Sequence, residues 1–177
     1  TDINTRIGWY SKNDANAQDT GWLGEPMSLP RIQGADVCGH IVAVGDQIDP
    51  ARMGERVLIE PCLREVDGTT LETPWYFGSE CDGGFAEFVR VAARHAYKIK
   101  SDLSDIELAS FPCSYSTAEN MLTRAAVAAG ETVLVTGASG GVGSAAVQLA
   151  SARGARVIAV TSAAKADKIK ALGAENT

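Results

Sequence analysis

The sequence predicts an α/β chain in two parts, a mostly-β part followed by the opening of a doubly wound parallel sheet. Three observations carry that reading. From about Gly34 to Lys100, short β-branched runs alternate with Gly, Pro and Asp turns, as in GHIVAVGD, ERVLIEP, GGFAEFVRV and AYKIK. Beyond Ser104 the pattern changes to strand, helix, strand, helix with short connections, the grammar of β-α-β units. Between Val133 and Ala150, VLVTGASGGVGSAAVQLA is a β-branched strand that breaks into glycines and resumes as a helix. The boundary falls near Phe111 and Pro112, giving parts 1–112 and 113–177.

In chain order, Asp-Ile-Asn-Thr-Arg at residues 2–6 reads as strand-like. The β-branched runs of the first part follow. Ser104-Asp105-Ile106-Glu107 has the form of a capping box, and Ser116-Thr117-Ala118-Glu119 repeats it, so a helix is expected to start at each. The second is expected to run through MLTRAAVAA and end at Gly130. ETVLVTG reads as a buried strand, and the next helix places Val142, Ala146, Leu149 and Ala150 on one face. Arg156 to Val160 is another apolar strand, and KADKIKALGA another helix, closed by Gly173. One β-α-β unit cannot cover both faces of a parallel sheet. The chain therefore reads as a fragment, with about four further strands expected beyond Thr177.

Composition narrows the function. Of the 177 residues 45% are hydrophobic, ordinary for a packed core. The net charge of -6 argues against a nucleic-acid partner, which would need clustered Lys and Arg. No apolar run approaches the ~18 residues of a bilayer helix, and TDINTRIGWY is neither a signal nor a transit peptide. The cysteines at 38, 62, 81 and 113 form no CxxC pair and read as buried reduced thiols of a cytoplasmic protein.

The glycine turn carries the chemistry. Ala138-Ser139-Gly140-Gly141-Val142-Gly143 fits the spacing G/A-x-G-x-x-G between an apolar strand and an amphipathic helix, the context that makes it a dinucleotide signature. Gly140 lets the backbone approach a pyrophosphate, Gly143 lets the helix pack closely on the strand, and the helix start presents unpaired N–H groups to the phosphates. The same letters satisfy T-G-x-x-x-G-x-G, the turn of the short-chain dehydrogenases. About 130 residues precede it here, and no lysine stands four residues after Tyr10, Tyr76, Tyr97 or Tyr115. An NAD site carries Asp or Glu at the end of the second strand. Here Val160-Thr161-Ser162-Ala163-Ala164-Lys165 offers hydroxyls and an ammonium, with no carboxylate before Asp167. That set suits the 2′-phosphate of NADP(H), with Ser162 and Lys165 as its ligands.

Taken together, GADVCGHIVAVG, DGGFAEFVRV, LASFPCSYSTAENML, VLVTGASGGVGSAAVQLA and the closing LGAE resemble the medium-chain dehydrogenase/reductase superfamily, in that family's order. This superfamily includes zinc-type alcohol dehydrogenases and zinc-free quinone oxidoreductases. The resemblance implies a GroES-like catalytic domain, N-terminally incomplete, over 1–112 and the start of a Rossmann NADP-binding domain over 113–177, with substrate reacting between them. Where the zinc enzymes have Gly-His-Glu, this chain has Gly34-Ala35-Asp36, and alanine cannot coordinate a metal. Cys113 occupies the place of another zinc ligand, and Thr1 and Asp2 match the end of a Cys-x-Thr-Asp-like motif whose cysteine would precede Thr1. The four-cysteine structural zinc lobe is absent between Pro61 and Gly83. No bound zinc is expected.

His40 reads as a strand side chain and His95 as an ordinary surface residue in a polar turn. Trp75, Tyr76 and Phe77 read as an aromatic cluster in a loop, either filling a local core or walling a substrate site. By resemblance, Thr117 matches a position on the nicotinamide side. The expected activity is hydride transfer between NADP(H) and a small molecule bearing a carbonyl or a conjugated double bond, in a full-length protein that is a homo-oligomer. The alternatives are a zinc-type alcohol dehydrogenase and a nucleotide-binding protein without turnover.

Overall fold

A computed structural model describes residues 2–7 and 27–177. Thr1 and Tyr10, both used in the sequence reading, lie outside the described residues. By internal contacts the chain divides into two compact units, Thr1–Pro112 and Cys113–Thr177.

The first unit opens with a short helix, α1 (Asp2–Arg6), where the sequence reads as a strand. Asp2 sits in its first turn, where a carboxylate favours the helix start, and the run lacks the period-2 apolar alternation that would tie it to a ladder. A three-stranded antiparallel sheet follows in the order β1 (Cys38–His40), β2 (Arg56–Ile59), β5 (Ala96–Lys98). Val57 and Ile59 alternate into the core from β2. A hairpin joins β3 (Cys62–Val66) to β4 (Thr69–Tyr76). Its turn is Asp67-Gly68, both with positive φ (49° and 76°), as a two-residue hairpin turn with strand-matching twist requires.

Three further expectations for this unit are corrected. Trp75 and Tyr76 lie on β4 and not in a loop, while Phe77, 2% exposed and packed with Val57, Ile59 and Leu63, fills a local core, one of the two roles expected. GGFAEFVRV forms no strand: its backbone pairs with residues 32–34 only as far as Phe85, and Phe85 and Phe88 are each 72% exposed. No strand among the described residues pairs with the rest of it, although Val91 packs on the core of Val57, Ile59 and Leu63. His95, expected at the surface, is 3% exposed. His40 ends β1 with its side chain exposed, as expected.

Helix α2 (Asp105–Ala109) starts with the expected capping box: Ser104 Oγ accepts from Glu107 N, and the Glu107 carboxylate accepts from Ser104 N at 2.8 Å. Helix α3 (Pro112–Arg124) starts four residues ahead of its expected cap, so Ser116 is interior and no box forms there. Proline suits a helix start, where an N–H would be unpaired anyway. Glu119, the would-be box partner, instead bonds Arg153 and Thr123. The helix also stops earlier than expected, with Ala126 at φ 53° and Val127 N donating to Leu122 O; Gly130 lies in the connection that follows.

In the second unit, β6 (Thr132–Val135) runs parallel to β7 (Arg156–Ala159), joined by α4 (Gly141–Ala152). The unit ends with a short 3-10 turn and α5 (Ala166–Ala171), closed by Gly173 at φ 114°. Ala145, Ala146, Val147 and Ala150 of α4 are buried, with Val142 and Leu149 packed beside them. β6 is only half buried, against expectation, because β7 is its one partner among the described residues; Leu134 is 62% exposed.

Candidate functional site: a glycine turn at a helix start

The turn between β6 and α4 is built by backbone. Gly137 adopts φ 60°, and Gly140 N donates to its carbonyl at 2.9 Å. Gly140 is the extended N-cap of α4, with no side chain capping the helix. Ser144 N donates to Gly140 O, so the N–H groups of Gly141, Val142 and Gly143 have no acceptor within the helix. They sit at the positive end of a 12-residue helix, an arrangement suited to an anion.

Each glycine in the turn has its own steric reason. A Cβ on Gly143 would collide with the Gly137 carbonyl and lie 2.8 Å from Ala138 Cα, so this glycine permits the tight return of helix on strand. A Cβ on Gly141 would lie 2.6 Å from Ser114 Oγ, so this glycine admits the start of α3. A Cβ on Gly140 would meet only Gly137 O, at 3.4 Å, and the space beside it is otherwise open. Ala138 is fully buried in the unit core. The sequence reading missed Gly137 and Ser114. The dipeptide Thr136-Gly137 at a strand end was a signal for the first; the second is a tertiary contact with no local signal.

At the end of β7, Thr161 Oγ1 is buried without a hydrogen-bond partner. Ser162 is the N-cap of the 3-10 turn, but its hydroxyl makes no capping bond, and Lys165 closes that turn with an exposed side chain. Hydroxyls left over at a strand end, beside a helix start rich in free N–H groups, fit the ribose and phosphate parts of a dinucleotide. On α3, Thr117 lies three residues from Ser114 and so shares its face. Its hydroxyl donates to Cys113 O at 2.7 Å, which leaves its oxygen free to accept but commits its proton.

A cavity of about 580 Å³ runs from Gly140 and Gly143 along β6 to Met121 and Val127. Only its glycine end has the chemistry of a phosphate site. The remainder, lined by Val133, Leu134 and Met121, follows the open edge of β6.

In the first unit, Gly34 N donates to Asp2 Oδ1 at 3.0 Å, and Ala35 is 6% exposed. Gly34, Gly78 and Gly83 pack backbone on backbone: a Cβ on Gly78 would lie 2.7 Å from Gly34 N. Among the described residues no three His, Cys, Asp or Glu side chains gather as a metal site. None of the four cysteines is in a disulfide, and all are half-buried. Burial pushes the Cys81 thiol up, and burial together with the Asp105 charge does the same for Cys38, so neither is poised as a thiolate. No helix among the described residues is long and apolar enough to cross a membrane.

The profile of the alcohol dehydrogenase GroES-like domain matches residues 3–101. The chain is 37% identical over 145 residues to acryloyl-coenzyme A reductase of Metallosphaera sedula, covering 76% of this chain and 43% of that protein. It is 36% identical over 151 residues to human quinone oxidoreductase, covering 85% and 40%. Among solved structures, a putative alcohol dehydrogenase from Sinorhizobium meliloti 1021 superposes with a TM-score of 0.86 at 48% identity, over 98% of this chain and 49% of that one. An NAD-dependent alcohol dehydrogenase superposes with a TM-score of 0.78 at 33% identity, over 86% and 48%. The chain thus spans less than half the length of each of these proteins.

Proposed function

Because the chain belongs to the alcohol dehydrogenase GroES-like family, within the medium-chain dehydrogenase/reductase superfamily, we propose that its parent protein is an NADP(H)-dependent oxidoreductase acting on a carbonyl or conjugated double bond. The observation that carries this reading is the glycine turn with three unpaired N–H groups, Gly141 to Gly143, at the head of α4. A bound nicotinamide supplies or accepts hydride at its C4. The chain's own residues bind and orient: the α4 amides hold the diphosphate, Gly140 keeps the approach open, and Gly143 fixes the turn. The Thr161 hydroxyl, otherwise orphaned, takes a ribose or phosphate oxygen, and Ser162 and Lys165 take the 2′-phosphate. Thr117 lies on the nicotinamide side as a positioning group, accepting through its oxygen.

The substrate class follows the relatives that reduce acryloyl-coenzyme A and quinones and the alanine at position 35. Without a metal-binding histidine there, substrate polarisation falls to hydrogen-bond donors and to orientation in a water-poor cleft. A second reading, NAD(H) as the coenzyme, is favoured by the NAD-dependent structural relative. Calorimetry on the full-length protein separates the two. NADPH should bind more tightly than NADH by about 1 to 3 kcal/mol, the range of charge-assisted hydrogen bonds; equal affinities overturn the 2′-phosphate assignment. Steady-state NADPH oxidation with enones, quinones and aldehydes tests the activity, and a flat result across the panel supports a nucleotide-binding protein without turnover.

A further inference from the structure

His95 closes the 3-10 turn Ala93–His95 and is 3% exposed. Its Nε2 accepts two backbone N–H groups from β3, Arg64 N at 3.1 Å and Glu65 N at 3.2 Å. These amides lie where the β3–β4 ladder breaks register: Leu63 pairs with Trp75 and Glu65 with Thr70, so Arg64 alone faces the stretch from Leu71 to Pro74. The ladder is interrupted there, and the imidazole supplies an acceptor for both N–H groups. The turn bearing it is fixed on both sides. Arg52 donates to Ala93 O and Ala96 O at 3.1 and 2.7 Å, and Glu60 N donates to His95 O at 2.9 Å.

We propose that His95 is a proton-sensitive latch on the β3–β4 hairpin: the neutral imidazole holds the register break closed, and the imidazolium releases it. A proton taken from solvent at Nε2 removes the only lone pair facing Arg64 N and Glu65 N, and turns an acceptor into a third donor against two others. The hairpin carries Trp75 and Tyr76 at its far end and runs into buried Phe77, so the latch sets where these aromatic side chains lie.

The charged groups facing the ring are Arg94, Arg64, Glu60 and Glu65. Burial and then the Arg94 charge hold His95 below the usual histidine range, against the opposing pull of Glu60 and Glu65. A histidine depressed in the folded state contributes stability that is complete above its unfolded pKa of about 6.5 and is lost as pH falls from there through the folded value.

The test is hydrogen exchange of the 62–76 hairpin in the full-length protein at pH 7 and pH 5, corrected for the intrinsic pH dependence of exchange. Protection in the wild type should fall about tenfold across this step, while His95→Gln, whose amide oxygen accepts but does not titrate, should change less than about twofold. Equal protection at both pH values in the wild type, or the same fall in the Gln variant, overturns the latch. Nitrogen NMR of the full-length wild type with labelled histidine, the His95 signals identified by their loss in His95→Gln, reads the ring itself. A bare, accepting Nε2 on His95 at pH 7 that gains its proton as the hairpin loses protection is the expected result. An Nε2–H tautomer at pH 7 overturns the proposal.

Discussion

Gly140, Gly141 and Gly143 stand within one short turn, yet a methyl group added to each would be met with different tolerance. At Gly143 it meets backbone, which cannot yield, so Gly143→Ala should lower stability by about 1 to 3 kcal/mol in chemical denaturation. At Gly140, where φ is -81°, alanine fits the backbone and makes a single contact, with Gly137 O at 3.4 Å, so the variant should unfold at a temperature close to wild type. Its methyl group points where a diphosphate would approach, and dinucleotide affinity measured by calorimetry should drop tenfold or more, about 1.4 kcal/mol. A Gly140→Ala protein that binds NADPH normally removes the close-approach role. Position 35 supports a different prediction. Catalytic zinc needs three protein ligands and a water, and buried Ala35 supplies none. Metal analysis of full-length protein purified without chelator should find less than one zinc per chain, and Cys113→Ser should keep its activity; one zinc lost together with activity on dialysis against a chelator restores the alcohol dehydrogenase alternative.

At the scale of elements, local signals proved readable and non-local ones did not. The capping box at Ser104 is written within four consecutive residues, and the structure has both of its hydrogen bonds. Ser104→Ala should therefore cost about 1 kcal/mol, read by denaturant titration. The Ser104 hydroxyl and its N–H hold the Glu107 carboxyl below the usual range. A depressed carboxylate contributes stability above its unfolded pKa of about 4.3 and loses it as pH falls through the lower folded value, so the difference between Ser104→Ala and wild type should shrink below about pH 4. The same pattern at Ser116 misleads because Pro112 already starts the helix upstream, and a cap motif inside a helix has no free N–H to serve. The β3–β4 hairpin was missed in the sequence: Asp67-Gly68 was its local signal, but Pro74 and the polar run before it hide the second strand, whose register break is held by His95 from a distant part of the chain. The glycine turn was legible because its chemistry is backbone conformation, which the glycine spacing specifies directly. Ser114, packed against it from α3, depends on tertiary approach and was not.

The whole molecule is larger than the chain in hand if it follows its relatives, each more than twice as long as the part matched. The second unit has a surface that such a longer fold would cover. β6 is paired on one side only among the described residues, and Leu134 and Met121, 62% and 57% exposed, flank the apolar length of the cavity beside it. An unpaired strand edge leaves backbone N–H and C=O groups open, and an uncovered face of a parallel sheet leaves apolar side chains in water, each at a cost. In a doubly wound sheet the nucleotide also lies in a crevice between the first strand and the strands on its far side, so on the proposed function the glycine turn alone would offer half a binding surface. Residues 1–177 made alone should accordingly show little or no NADPH-dependent turnover and should bind an apolar dye more strongly than the full-length protein. Both are measured on equal molar amounts of the two proteins with the same enone or quinone. Turnover by the short chain comparable to full length would mean that the glycine turn, Thr161, Ser162 and Lys165 suffice to orient the coenzyme, and that the open edge of β6 is a finished surface.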